Sequence, residues 1–198
     1  PSPMILLQLL VNGLQLGAIY ALTAVGFSLI FGSTKIFHVA HGSAFAIGGY
    51  VYWWCVVKAG LHPVVATALA ILAAALFGLI MERFVYRPIQ RHEASFFTVF
   101  IAAFGVQIVV QNLIGSIVGR GMETVTTPLS RSVEILPNLF VAPIAAISLI
   151  VALLLFTALS WFLNRTNVGT AMRALSENPD LVRVFGLDPG RIAQYAFI

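Results

Sequence analysis

Charged residues are scarce in this 198-residue chain: Asp, Glu, Lys and Arg make up 9% of it, whereas hydrophobic residues make up 60%. Soluble globular domains carry about 25% charged residues, so the composition excludes an ordinary water-facing surface. The mean hydropathy of +0.97 agrees. Lipid is the other solvent for so much apolar surface, and there every backbone N–H and C=O must be paired within the protein.

The sequence also lacks the regular alternation of polar and apolar residues that is typical of membrane barrel strands. It contains long apolar runs instead, which predict an all-α polytopic membrane protein. A single cysteine, Cys55, excludes an internal disulfide framework. The net charge is +4, but the basic residues lie in loops between apolar runs. That distribution indicates membrane topology rather than nucleic-acid binding.

Stretches without Asp, Glu, Lys or Arg predict about five transmembrane helices and the start of a sixth. The first run is longer than a helix needs to cross the bilayer's hydrocarbon core, which is about 30 Å thick, and the second is short for a full crossing. A final run that begins at Ile192 is too short to span, so we expect the chain to be a C-terminally truncated part of one transmembrane domain covering residues 1–198. The five predicted spans cover residues 4–32, 42–57, 63–81, 94–119 and 139–163.

The loops between these spans differ in positive charge. Residues 82–93 and 164–191 are rich in Arg, whereas residues 120–138 contain only Arg120 and Arg131. Positive residues favour the cytoplasmic side, and alternation of the spans puts the two Arg-rich loops on one side. We therefore expect these two loops in the cytoplasm, with residues 120–138 and the N-terminus outside.

A polar segment, residues 32–43, separates the first two apolar runs and predicts a discontinuous region near residues 32–42. Irregular backbone at membrane depth survives only where protein or a water-filled cavity satisfies it, and broken helices often border transport pathways. His38 and His41 are three residues apart and would share a helical face. An interfacial loop is the alternative interpretation. A metal site is disfavoured, because no third ligand lies near in the sequence.

Two further segments carry charge. Residues 82–89 predict a topology anchor in which the third helix ends and Pro88 prevents its continuation. Residues 168–191 predict two short helices on the cytoplasmic side. Arg173 and Glu177 are four residues apart and able to pair, and Asn178 precedes a proline and an acidic residue, as an N-cap does.

The second of these short helices is expected to carry an apolar stripe of Leu181, Val182 and Phe185 and to end at Gly186, which suits a C-cap. An exposed apolar stripe in the cytoplasm favours docking of a partner protein. The alternative is that the helical pair folds back onto its own membrane domain.

Several short motifs occur in a fixed order along essentially the whole chain, and on them the sequence resembles the membrane permease subunit of branched-chain amino acid ABC importers. Two positions depart from that family, where Asn commonly precedes Ala-His-Gly by two residues and an acid often follows it. Here these positions hold His38 and Ser43. The matching pieces are Asn12-Gly13-Leu14 to Ala21-Leu22, Ala40-His41-Gly42 with Gly48-Gly49-Tyr50, Glu82-Arg83 with Tyr86-Arg87-Pro88, Gln111-Asn112, and Arg173-Ala174 with Glu177-Asn178-Pro179 and Gly186-Leu187.

The resemblance implies a multi-pass subunit of the bacterial inner membrane that pairs with a second permease, two cytoplasmic ATPases and a periplasmic or extracellular solute-binding protein. The solute would be a branched-chain amino acid or a related small polar molecule. No cofactor and no enzymatic activity are implied, and the chain has no phosphate-binding loop of its own. The residues implied for the translocation path are His38, His41, Gly42, Ser43, Gln107, Gln111 and Asn112. Those implied for ATPase coupling, within a segment of about 165–191, are Arg173, Glu177, Asn178, Asp180, Leu181, Phe185 and Gly186.

Two other functions stay open at this point. A secondary transporter or channel would work without ATPases, although ion-coupled carriers usually keep ionisable residues within their spans and the second to fifth spans here have none. An intramembrane enzyme would need a catalytic or metal set, for which only His38, His41 and scattered polar residues are available.

Overall fold

The computed structural model describes residues 3–91, 95–119, 121, 123–137 and 139–197. Helical segments dominate, and two of them run on into wider π-helical turns at residues 54–58 and 81–86. The α-helices are α1 Pro3–Thr34, α2 His41–Trp53, α3 Pro63–Ile80, α4 Arg87–Arg91, α5 Phe96–Ile117, α6 Pro143–Arg165, α7 Asn167–Glu177, α8 Pro179–Val184 and α9 Pro189–Ala196. The strands are β1 Val133–Leu136 and β2 Leu139–Val141.

Four helices among the described residues are long and apolar enough to cross a membrane: Met4–Thr34, Pro63–Arg91, Phe96–Ile117 and Pro143–Arg165. The all-α polytopic fold is confirmed. The predicted short span at 42–57 is helical, as α2 and its π-helical turn, but it is not one of these four. The apolar run from Ile192 lies in α9, an amphipathic helix that buries Ile192 and Ala196.

The long helices bury little of their own surface within the chain. In α6 only small side chains such as Ala145 and Ala152 are buried, whereas Leu153 and Leu154 are 67% and 64% exposed. Apolar area of this extent is typical of contact with lipid or with other subunits. The chain is therefore a multi-pass membrane protein.

The predicted discontinuity is confirmed between Lys35 and Ala40. The hydroxyls of Ser33 and Thr34 each donate a 2.6 Å hydrogen bond to a carbonyl four residues back, in Leu29 and Ile30, which weakens the continuation of α1. Lys35 then adopts a left-handed conformation (φ 57°), which ends the helix. The residues that follow are not helical, and Val39 and Ala40 form a turn. Ile36, His38 and Ala40 are buried in this break, whereas Phe37 is exposed.

The prediction that Pro88 stops the third helix is wrong. The helix continues from Pro63 to Arg91, and Pro88 is the second residue of α4. A proline inside an α-helix removes one hydrogen bond and clashes with the carbonyl four residues earlier. The π-helical turn at 81–86 directly precedes Pro88, and the amide of Arg87 bonds the carbonyl of Glu82, five residues back. The wider turn therefore accommodates the proline.

The described residues pack as two compact units. The first contains residues 1–28 and 126–170, and so the beginning of α1, the β1–β2 hairpin and α6. The second contains residues 29–125 and 171–198, and so the break, α2 to α5, most of α7, and α8 and α9. Within the second unit α2 packs closely along α3.

A β-hairpin in the first unit was not predicted. Strands β1 and β2 are antiparallel, with Val133 opposite Val141 and Glu134 opposite Phe140. The side chain of Gln8, on α1, binds the free edge of β2: its amide donates to the carbonyl of Phe140, and its oxygen accepts from the amide of Phe140, both at 2.8 Å. Gln8 thus takes the place of a third strand at this position, which satisfies both backbone groups.

The junction of α6 and α7 leaves no space for a side chain at Gly169. A Cβ there would lie 2.5 Å from the Cα of Leu163 and would also overlap the carbonyl oxygen of Phe162. Because these are backbone atoms, they cannot move aside cheaply. The close approach lets the chain turn sharply after Thr166.

We therefore expect Gly169→Ala to lower the thermal stability of the purified protein, by about 1–3 kcal/mol, as overpacking does. Gly105→Ala is the matched control, because a Cβ at that helical glycine meets nothing within 4 Å. It should be neutral or stabilising by about 0.5–1 kcal/mol, since alanine favours helix. Equal melting temperatures for the two variants would show that the close approach at Gly169 is not required.

Candidate functional site

The second short helix of the predicted coupling segment begins and ends as expected. The side-chain oxygen of Asn178 accepts hydrogen bonds from the amides of Asp180 (3.0 Å) and Leu181 (3.1 Å), which makes it the N-cap of α8. Gly186 follows the helix with φ 77°, a left-handed conformation that glycine adopts without strain. The amide of Leu187 bonds the carbonyl of Val182, which completes the C-terminal cap.

The apolar residues of α8 do not form the single stripe that the sequence predicted. Val182 is 3% exposed and faces the interior, together with Met172 and Leu175 of α7. Leu181 and Phe185 are four residues apart and share the opposite, exposed face. Phe185 is 79% exposed, and Val184 beside it is equally so. We call Leu181, Val184 and Phe185 the exposed apolar patch.

The polar coupling residues are all exposed. Arg173 and Glu177 lie on the outer side of α7, four residues apart. Asp180 forms an ion pair with Arg183 at 3.1 Å, and both side chains are largely in solvent. Exposed pairs of this kind contribute little stability, typically about 0–1 kcal/mol. These side chains therefore remain accessible to a partner molecule.

A polar cleft of about 610 Å³ lies beside this segment. Three parts of the sequence meet there: residues 33–35 at the end of α1, residues 82–91 of the π-helical turn and α4, and residues 175–193. Both Arg-rich loops of the sequence thus contribute to one cleft. The basic side chains that line it are Lys35, Arg87, Arg91 and Arg183, and the acidic ones are Glu82 and Asp188.

His38, in the break that follows α1, lies in the interior. It is 1% exposed, its Nδ1 shares a hydrogen bond with the hydroxyl of Tyr86, and its ring packs edge-on against Phe197, with the centroids 5.3 Å apart. Burial, and to a lesser extent the neighbouring His41, lower the pKa of His38 to about 3. His38 is therefore neutral at physiological pH. The ring of His41 is half-buried, 5.9 Å from that of His38.

A line of polar and small residues follows the contact between α2 and α5. Gly42 lies close to the side chain of Gln107, whose Nε2 would be 3.9 Å from a Cβ at position 42. The next residue, Ser43, is 1% exposed. Both the Oγ of Ser43 and the Oε1 of Gln107 are buried and have no hydrogen-bond partner within the described chain. Buried polar atoms are normally paired, so these two are candidates for contact with solute or water.

The same contact contains a second cavity, of about 210 Å³, one turn of α5 further along. The cavity is lined by Gln111, by Tyr50 of α2 and by the glycines at 115 and 119. Gln111 is four residues from Gln107, so the two side chains share a face of α5. Asn112 lies on the neighbouring face, where its amide donates to the carbonyl of Ile108. We call the contact between α2 and α5 that extends from Gly42 on α2 to Gln111 on α5 the polar seam. The structure brings Gly42, Ser43, Gln107 and Gln111 to it.

Sequence reasoning missed three residues near the cleft. Glu82 is 4% exposed, Tyr86 is fully buried and Phe197 is 5% exposed. Glu82 was assigned to a topology anchor, because a charged residue at a helix end is ordinarily exposed. The available signal was an acidic residue in an otherwise apolar helix, since a buried carboxylate needs partners to be tolerated.

These features define a helical, multi-pass membrane protein with an internal polar seam and an exposed helical segment. The family profile described as "Branched-chain amino acid transport system / permease component" matches residues 9–198. The chain therefore belongs to this family of transport permeases.

Curated relatives agree with this assignment. The chain is 28% identical to the high-affinity branched-chain amino acid transport system permease protein LivH of Salmonella typhimurium and 27% identical to BraD of Pseudomonas aeruginosa. Each alignment covers 97% of this chain and 66% of the relative. A probable LivH of Methanocaldococcus jannaschii is 26% identical, over 89% of this chain and 57% of the relative. The chain thus spans less than two thirds of the length of these relatives. No solved structure gives a significant match.

Proposed function

We propose that this chain is a membrane permease subunit of an ATP-driven importer for branched-chain amino acids or related small polar solutes. It would lie in the bacterial inner membrane beside a second permease. Two ATPases would bind on the cytoplasmic side, and a solute-binding protein would deliver the solute from outside. Membership of the permease family supports this assignment, as do the names of the relatives, which describe them as branched-chain amino acid transport proteins.

The exposed apolar patch is the observation that carries the ATP-driven part of the proposal. None of the described residues covers Phe185, which is 79% exposed, whereas Val182 on the same helix is 3% exposed. A capped helix that presents Leu181 and Phe185 to water lacks an apolar surface against which to bury them, and a groove on an ATPase would supply one. A secondary transporter or channel has no need of such a surface.

The polar seam supports a translocation path between α2 and α5. The unpaired oxygens of Ser43 and Gln107 lie near its start, beside the break, and Gln111 lines the cavity further along. A buried polar group without a partner costs stability, on the order of 1–3 kcal/mol. Its retention is understandable if the group binds passing solute or water. His38 and His41 border the start of the seam and stay part of the proposed path.

The topology predicts opposite accessibility for two exposed arginines, Arg91 in the first Arg-rich loop and Arg131 in the loop after α5. In a Cys55→Ser background, Arg91→Cys should react with a membrane-impermeant thiol reagent only after the cells are opened. Arg131→Cys should react in intact cells. Cys55 is 4% exposed, so its replacement removes only a weak background. Labelling of Arg91→Cys in intact cells would reverse the proposed orientation.

Removal of the Ser43 hydroxyl should affect the stability of the protein and its solute uptake in opposite directions. Ser43→Ala deletes a buried oxygen that has no partner in the part of the chain that the structure describes. The variant should therefore be as stable as the wild type or more stable, by up to about 1–3 kcal/mol. Solute uptake by the assembled transporter should nevertheless fall. Ser148→Ala is the control, because that hydroxyl bonds the carbonyl of Ala145 in its own helix. Normal uptake by Ser43→Ala would remove this residue from the path.

Truncation of Phe185 tests the docking surface. Burial of a phenylalanine side chain contributes about 1.5–3 kcal/mol, so Phe185→Ala should weaken co-purification of the ATPase subunits by about tenfold or more while the permease stays folded. Phe156→Ala in α6 is the matched control, because Phe156 is also exposed, at 56%, but lies within a candidate membrane span. Equal co-purification with both variants would contradict ATPase docking at the exposed apolar patch and favour a transporter that works without ATPases.

A further inference from the structure

The helix Pro63–Arg91, which continues the third predicted span, is tied to α9 through the buried carboxylate of Glu82. We keep the name third span for this helix and call the part from residue 78 onwards its end. The Oε1 of Glu82 accepts a hydrogen bond from the Nε of Arg87 at 3.2 Å, and its Oε2 accepts one from the Nε2 of Gln194 at 3.1 Å. Glu82 and Gln194 are 112 residues apart in the chain, so the second bond joins two distant segments. With only 4% of Glu82 exposed, water does not compete strongly for either oxygen.

Further contacts join the same segments. The aromatic ring of Phe197 packs against Tyr86 at 5.6 Å and against His38 at 5.3 Å between centroids. Its carbonyl lies so close to Gly78 of α3 that a Cβ there would overlap it. Gly190, at the start of α9, adjoins the guanidinium of Arg87. Residues 190–197 therefore contact both the end of the third span and the break at residues 35–40.

These contacts connect the exposed apolar patch with the break at residues 35–40, which precedes the polar seam. Helix α8, with the exposed apolar patch, contacts α9. Helix α9 contacts Glu82 and, through Phe197, His38 in the break that precedes the polar seam. A displacement of α8 would pass along this route only while α9 stays attached to the end of the third span. Glu82 and Gln194 are the polar side chains that hold it there.

We propose that the pair of Glu82 and Gln194 is a latch that positions α9 and so couples movement of α8 to the break at residues 35–40. The proposal rests on the proposed function, because it assumes that the ATPases act on α8. Neither residue touches solute or ATP in this role. A buried ionic contact adds little stability over an apolar one of the same shape, but it can fix one arrangement of two segments.

Charge placed at position 194 tests the latch in the assembled transporter, reconstituted in vesicles with its ATPases and binding protein. Gln194→Glu brings a second carboxylate against Glu82 and should open the latch. We expect the amount of solute imported per ATP hydrolysed to fall by about tenfold, the factor that one hydrogen bond to a charged group represents in an equilibrium. Co-purification of the ATPases should be unchanged, since the exposed apolar patch is intact.

The double variant Glu82→Gln/Gln194→Glu restores an amide opposite a carboxylate, and it should recover most of the solute imported per ATP. Gln90→Glu is the control, because Gln90 lines the same cleft but is exposed. It should behave as the wild type. If Gln194→Glu does not yield folded protein, Gln194→Leu removes the donor without adding charge and should lower the same ratio.

Three results would overturn the latch. The first is a wild-type ratio of solute to ATP in Gln194→Glu or Gln194→Leu, and the second is a double variant no better than Gln194→Glu. The third is a loss of folded protein with a normal ratio in the fraction that remains, which would make the contact merely structural. Failure of the proposed function would appear differently, as normal ATPase co-purification with Phe185→Ala.

Discussion

Backbone polar groups have no water to bind inside a bilayer, and the rest of this structure depends on that constraint. Long helices satisfy it along the four candidate spans. Where the helix is interrupted, local bonds replace the lost ones: Thr34 accepts from the amide of Ile36 in the break, and the π-helical turn pairs Arg87 with Glu82 ahead of Pro88. Interruptions satisfied in this way can lie beside a transport path without exposing the backbone to lipid.

The buried polar side chains are of two kinds, those whose polar atoms have hydrogen-bond partners and those whose polar atoms have none among the described residues. Glu82 has partners on both oxygens and joins α9 to the third span. Ser43 and Gln107 each bury an oxygen that has no hydrogen-bond partner among the described residues, beside the break and along the contact of α2 with α5. The paired group holds segments together, whereas the unpaired groups are available to a passing solute. The second compact unit therefore contains the residues of the proposed docking surface, of the proposed latch and of the start of the proposed path.

Sequence reasoning predicted the features that depend on local chemistry. Apolar runs identified the long helices, and Asn178 and Gly186 marked the ends of α8, because capping needs only neighbouring residues. It failed where residues distant in the sequence determine the burial or the partners of a side chain, and where a neighbouring π-helical turn changes the effect of a proline. Pro88 ends a helix by the local rule, but the preceding π-helical turn accommodates it. Val182 turned inwards because of its packing. The bond of Glu82 to Gln194 and the binding of Gln8 to β2 join segments more than a hundred residues apart.

A measurement of which energy source drives solute uptake is the most direct test of the proposed function. The permease pair is reconstituted in vesicles with and without its ATPase subunits, with the binding protein on the outside and ATP within, and uptake of a labelled branched-chain amino acid is followed. The account predicts accumulation only when both ATP and the ATPases are present. Accumulation by the permeases alone in an ion gradient, or equilibration of the solute through them down its own gradient, would contradict it.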